Sequence, residues 1–144
     1  MSYINVWIHF IWSTKNREPY LTKELRSKIF SHIRDNAKEK HIHIDSINGY
    51  KEHVHLLISM NQNQTIAEIV HLLKGESTYW ININKLTKNR FCWQKEYGAV
   101  SVDYSAIKTI REYINNQETH HQKRSFSEEF NILMEKYKFN NKER

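Results

Sequence analysis

His53 and His55 stand one residue apart in the run Glu52-His53-Val54-His55-Leu56-Leu57-Ile58-Ser59. The run is branched and apolar and reads as a β-strand, in which alternate residues share a face. Both imidazoles then project side by side, with Val54, Leu56 and Ile58 on the other face. Two imidazoles on a stiff strand are half of a divalent-cation site. The same alternation also arises by chance on half-buried strands, so the pair gains meaning only from a partner elsewhere. Tyr113 and Gln117, four residues apart, are such a partner if their helix packs across the histidine strand. Gln117 would offer an amide oxygen as a third ligand. Two imidazoles and an amide oxygen suit Mg2+ or Mn2+ acting on a phosphate better than a closed zinc site. Tyr113 would hang one turn from the metal as a nucleophile, and phenolic attack on a phosphodiester would give a covalent phosphotyrosine. That bond keeps the energy of the broken strand, so a free 3′-hydroxyl can reverse the step without ATP. A hydrolytic nuclease would need an activated water, and no pair of carboxylates is evident beside the strand; Glu52 adjoins it but is assigned to the opposite face. Taken alone, the Tyr–Gln pair is more often an ordinary core-edge feature of a helix than a site.

The elements that must position these groups follow from periodicity. Val6 to Trp12 reads as a central strand with apolar residues on both faces, and His9 as a satisfied core or second-shell histidine. A basic loop with Lys15 and Arg17 leads to a helix capped by Thr22, with Leu25, Ile29, Phe30, Ile33 and Ala37 inward and Arg26, Lys28, Arg34 and Lys38 on a solvated face. His41 to Ile47 is a second strand, and Asn48-Gly49 reads as its hairpin turn into the histidine strand. Thr65-Ile66-Ala67-Glu68 is a capping box for a helix with Ile66, Ile69, Val70 and Leu73 inward. Lys74 and Ser77 on that helix could reach a phosphate or be ordinary surface residues. Phe91 to Gln94 and Ala99 to Val102 are short strand-like runs. A helix of about 105–119 carries Tyr113 and Gln117; the basic exit His120-His121-Gln122-Lys123-Arg124 follows; a second capping box, Ser125 to Glu128, opens a closing helix of about 126–138 with Phe130, Leu133, Met134 and Tyr137. Strand, helix, strand, strand, helix, strand is the split βαβ order: an α+β, ferredoxin-like antiparallel sheet over about 3–102, with the C-terminal helices appended.

Composition sets the bounds. The 144 residues fit one domain, 1–144, and with 39% apolar content and 12% aromatics a core can form. Three Gly and one Pro argue against low complexity. The single cysteine, Cys92, excludes internal disulfides and disfavours a thiolate cluster. Neither a membrane span nor a signal peptide is read, so a cytoplasmic protein is expected. A net charge of +6 favours an anionic partner, nucleic acid first.

His53-Val54-His55 resembles the His-hydrophobic-His motif of HUH endonucleases, and Tyr113-Ile114-x-x-Gln117 resembles the tyrosine helix of the single-tyrosine HUH transposases of bacterial insertion sequences (the IS-two-hundred type) and their REP-associated relatives. Trp12 to Arg17, Lys74 with Ser77, Trp93-Gln94 with Tyr97-Gly98-Ala99, and the exit after Gln117 extend the likeness over roughly residues 3 to 137. One departure is Glu96, where a small residue is expected before Tyr97-Gly98. The resemblance implies His53, His55 and Gln117 as ligands of Mg2+ or Mn2+ and Tyr113 as nucleophile. It implies cutting and rejoining of single-stranded DNA through a 5′-phosphotyrosine, recognition of DNA hairpins, and a homodimer in which the tyrosine helix serves the partner's histidines. Lys15, Arg17, Lys74, Lys123 and Arg124 are the expected phosphate contacts. The competing readings are a domesticated hairpin-binding protein without transposition activity and an RNA-binding ferredoxin-like module.

Overall fold

The computed structural model describes residues 2–137, without the side chains of Gln122, Lys123 and Tyr137. Strands β1 (Val6–Ser13), β2 (His43–Gly49), β3 (His53–Met60) and β4 (Gly98–Val102) form an antiparallel sheet in the order β2-β3-β1-β4. This is the ferredoxin-like arrangement, with the histidine strand β3 in the interior. Helices α1 (Lys23–Glu39) and α2 (Ile66–Ile83) cover one face. There Ile29, Ile33, Leu73 and Ile81 pack on Phe10, Val54, Leu56 and Ile58. Helices α3 (Ile107–Asn115), α4 (Gln117–Lys123) and α5 (Phe126–Tyr137) close over the other face. Ile107, Ile110 and Ile114 of α3 meet Leu57, and Phe126 and Leu133 of α5 meet Ile11. Among the described residues no helix is long and apolar enough to cross a membrane.

The capping box at Ser125 forms with both of its bonds, and that at Thr65 with one. The Thr65 side chain accepts from the Glu68 N–H, and Ser125 Oγ accepts from the Glu128 N–H while Glu128 Oε1 accepts from the Ser125 N–H. Several local expectations are corrected. Asn48-Gly49 is the end of β2, not the turn, which runs through 50–52. Gly49 is needed for approach: a Cβ there would lie 2.1 Å from the His53 carbonyl oxygen. Arg26 is not solvated but buried, donating to the Leu21 carbonyl and to Glu118. Its stem covers apolar surface while its head finds acceptors. Phe91 to Gln94 contributes only a bridge between Thr14 and Trp93. The tyrosine helix breaks at Asn116 (φ −101°, ψ 22°), so Gln117 opens a separate helix instead of extending that of Tyr113. Two adjacent asparagines, weak helix formers, sit at the break.

Gly49→Ala is expected to destabilise the chain by about 1–3 kcal/mol, the cost of overpacking against backbone that cannot rotate away. Urea unfolding measures it; an unchanged midpoint would contradict the close approach of β2 to β3.

Candidate functional site

His53 pairs with Ser13 of β1, and His55 pairs with Ile11 of β1 and Asn48 of β2. Strands on both sides fix their backbone, and both side chains are fully buried under the C-terminal helices. Burial obliges each imidazole nitrogen to find a partner. His53 Nδ1–H donates to Glu52 Oε1 at 2.8 Å, and its Nε2 lies 3.0 Å from Gln117 Oε1. Glu52 therefore reaches round the strand end, contrary to its expected orientation, and fixes the His53 ring. His55 Nδ1 lies 2.9 Å from His9 Nε2, so His9 is a buried histidine with a partner, as its strand position suggested. Phe126 stacks on His53 with ring centroids 4.2 Å apart.

Glu129 of α5 enters the centre of this cluster. Its Oε1 is 3.0 Å from His55 Nε2 and 3.2 Å from His53 Nε2. Its Oε2 accepts from the Tyr113 hydroxyl at 2.7 Å and lies 3.3 Å from His121 Nε2. Burial disfavours the Glu129 carboxylate, but hydrogen bonds from His121, His53 and His55 outweigh that and hold it far below its ordinary range. Burial likewise disfavours the His53 imidazolium, yet the bonds to Glu129 and Glu52 raise its pKa. His55 is lowered to about 4 by burial and by neighbouring His53, and His9 to about 3 by burial and by His55.

The donor set fits a hard divalent cation. His53 Nε2, His55 Nε2, Gln117 Oε1 and Glu129 Oε1 offer two nitrogens and two oxygens, with neighbouring ligand atoms 3.0 to 3.2 Å apart. An octahedron with bonds of about 2.1 Å has edges of about 3.0 Å. The carboxylate on His53 Nδ1 completes the carboxylate–histidine pattern that orients a ligating imidazole. Tyr113 lies beside the set, its ring centroid 5.6 Å from that of His55. All four residues singled out for chemistry thus meet within one chain.

The basic residues divide. Lys15 and Arg124 are exposed. Arg17 donates to Ser127 Oγ and lies over Phe126 and Phe130. Lys74 donates to the carbonyls of Gln94, Lys95 and Glu96, and its half-buried ammonium is lowered to about 8 by desolvation. It shapes the loop in which Glu96 departs from the expected pattern. Ser77 is buried, donating to the Leu73 carbonyl and accepting from the Trp93 indole. The side chain of Lys123 lies outside the described residues. Sequence reasoning missed Glu129 and His121. The available signal was a carboxylate at helical spacing between Phe126 and Leu133, where the apolar stripe predicts a hydrophobic side chain.

The sequence model of the family described as "Transposase IS200 like" matches residues 2–117. The ISDra2 transposase TnpA of Deinococcus radiodurans is 27% identical over 114 residues, 76% of this chain and 81% of that protein. A crystal structure of a transposase from Deinococcus radiodurans R1 superposes with a TM-score of 0.65 at 25% identity, covering 81% of this chain and 95% of the other. A REP-associated tyrosine transposase bound to a REP hairpin shares the fold, with a TM-score of 0.63 at 14% identity over 84% of this chain and 72% of the other.

The lowered histidines set the acid stability of the metal-free chain. His9 and His55 are neutral when folded but titrate near 6.5 when unfolded, so below that pH the unfolded state binds more protons. Stability is expected to rise with pH between about 4 and 6.5, by roughly 1 kcal/mol per pH unit for each histidine fully in its window. The raised His53 acts in the opposite sense, and the lowered Glu129 adds to the loss at the acid end. Thermal unfolding in chelator across this range tests the sign; a flat or falling midpoint would refute it, and His9→Leu is expected to flatten the rise.

Proposed function

The chain belongs to the IS200-like transposase family, and we propose that it cuts and rejoins single-stranded DNA through a phosphotyrosine formed at Tyr113. The observation that supports this reading is the convergence of the Tyr113 hydroxyl, the paired Nε2 atoms of His53 and His55, and Gln117 Oε1 in one buried cluster. In the proposed reaction Tyr113 Oη attacks phosphorus, a new O–P bond forms, and the P–O3′ bond breaks to release a 3′-hydroxyl. Rejoining is the reverse attack by a 3′-hydroxyl, which returns the phenol. Mg2+ or Mn2+ held by His53, His55 and Gln117 would neutralise charge developing on the scissile phosphate. Glu52 and His9 keep the two imidazoles in register for that task.

The exposed Lys15 and Arg124, together with Arg17 and Lys123, are proposed to hold the DNA backbone; Lys74 acts through the loop whose carbonyls it ties. The hairpin carried by the REP-associated neighbour supports hairpin recognition on this fold. The resemblance implies a homodimer with shared sites. In this chain Tyr113 meets its own histidines, because Ile107, Ile110 and Ile114 pack on Leu57 of the same sheet. A two-chain assembly would then join complete sites instead of building them.

Tyr113→Phe keeps the ring packing and removes the attacking oxygen. The variant is expected to fold and bind hairpin DNA at wild-type level but to form no covalent adduct with labelled strands; a wild-type amount of adduct would remove Tyr113 from the role.

Mixing His55→Ala chains with Tyr113→Phe chains tests the assembly. Sites formed within one chain each carry a defect, so no cleavage is expected after subunit exchange. Recovered cleavage would establish sharing between chains.

Neutralising Lys15 or Arg124 is expected to reduce the log–log salt slope of binding by roughly one unit. Slopes unchanged in both variants would place the DNA on another surface.

A further inference from the structure

Glu129 is the buried group that the proposed chemistry leaves without a task. It lies beyond residues 2–117, the part matched by the family. A lone carboxylate on the apolar side of an amphipathic helix is costly to bury, and helix α5 buries this one among His53, His55 and His121. Its two oxygens face different parts of the site. Oε1 lies with the two Nε2 atoms, and the three ligand atoms fall within 4.8 Å of one another. Oε2 holds the Tyr113 hydroxyl at 2.7 Å.

We propose that Glu129 is a further ligand of the divalent cation, supplied by α5, which also ties the Tyr113 hydroxyl to that cation. The inference rests on the metal-dependent reading above and adds an anionic oxygen to its neutral ligand set. Three geometric facts carry it. The contacts of Oε1 to His53 and His55 have the length of an octahedral edge, as does the contact of Gln117 Oε1 to His53. The remaining nitrogens of both histidines are engaged by Glu52 and His9, so both Nε2 atoms are directed at the carboxylate side. Phe126, one turn before Glu129, stacks on His53 and fixes the height of α5 over the site. An anionic ligand strengthens binding of a hard cation, and a carboxylate with one oxygen on the cation and one on the phenol sets the distance between them. Glu129 is thus a positioning residue for Tyr113 through its second oxygen. The rival arrangement is a carboxylate that merely substitutes for the cation among the histidines, and the two differ in sign.

Calorimetric titration of Mn2+ into the full chain separates them. The proposal expects Glu129→Ala to weaken Mn2+ affinity at least tenfold, and Glu129→Gln to weaken it less, because an amide oxygen can ligate but carries no charge. Tyr113→Phe is expected to leave the affinity unchanged. Thermal unfolding with and without Mn2+ gives a second readout: the wild-type midpoint shift is expected to shrink in Glu129→Ala. If affinity in Glu129→Ala is unchanged or rises while His55→Ala loses binding, Glu129 is a substitute for the cation and the proposal falls, with the metal reading intact. If His55→Ala also binds as the wild type does, the metal reading falls and the proposal with it. Should Glu129→Ala not fold, Glu129→Gln decides alone, and wild-type affinity in that folded variant overturns the proposal.

Discussion

The structure depends on the burial of two imidazoles at the middle of a sheet. His53 and His55 are completely removed from solvent on an interior strand, and each has two nitrogens to satisfy. The sheet alone cannot do it, since its own hydrogen bonds are spent between strands. Partners must come from the strand end, the neighbouring strand and a second layer: Glu52, His9, Gln117 and Glu129. The C-terminal helices are therefore not a decoration on a finished fold. They supply the polar groups without which the histidine face would carry unsatisfied donors and acceptors.

The two sides of the sheet solve different problems. The face under α1 and α2 is predominantly apolar, built on Phe10, Val54, Leu56 and Ile58, and hydrophobic burial does most to hold it. The face under α3 to α5 mixes two small apolar clusters with the charged site between them. Its contacts are specific in direction and poor in area. Local opening is cheapest where buried apolar contacts are fewest, and by that measure the α3–α5 face is the less firmly held of the two.

The strand order, the helix starts at Thr65 and Ser125 and the alternation of His53 and His55 were legible because each depends on local spacing. So was the burial of His9 with a satisfied ring, from its place on a central strand. What local pattern could not reveal depends on contacts between distant segments. Gly49 follows Asn48 as a hairpin turn would, yet its lack of a side chain serves the approach of His53. Arg26 sits on the polar stripe of α1, yet is buried because Glu118, 92 positions later, comes to meet it. Tyr113 and Gln117 have helical spacing, but the break at Asn116 reorients the second. Glu129 had a local cue, a charge in an apolar stripe, whose meaning required knowing that the stripe lies on two histidines.

The position of α5 also constrains access to the Tyr113 hydroxyl. The Tyr113 hydroxyl faces Glu129 on one side, and beside it a cavity of about 120 Å³ is lined by Tyr113, His120, Arg124, Glu129 and Lys136 among others. Arg124 and Lys136 stand on its wall with the Glu129 carboxylate and the apolar Ile110, Ile132 and Leu133. Tyr113 lines this cavity, whereas His53 and His55 do not. From the cavity inward the side chains follow one another as Tyr113, the Glu129 carboxylate and the paired imidazoles of His53 and His55. Because the Glu129 carboxylate touches both Tyr113 and the two imidazoles, any displacement of α5 changes the contacts of all three side chains together.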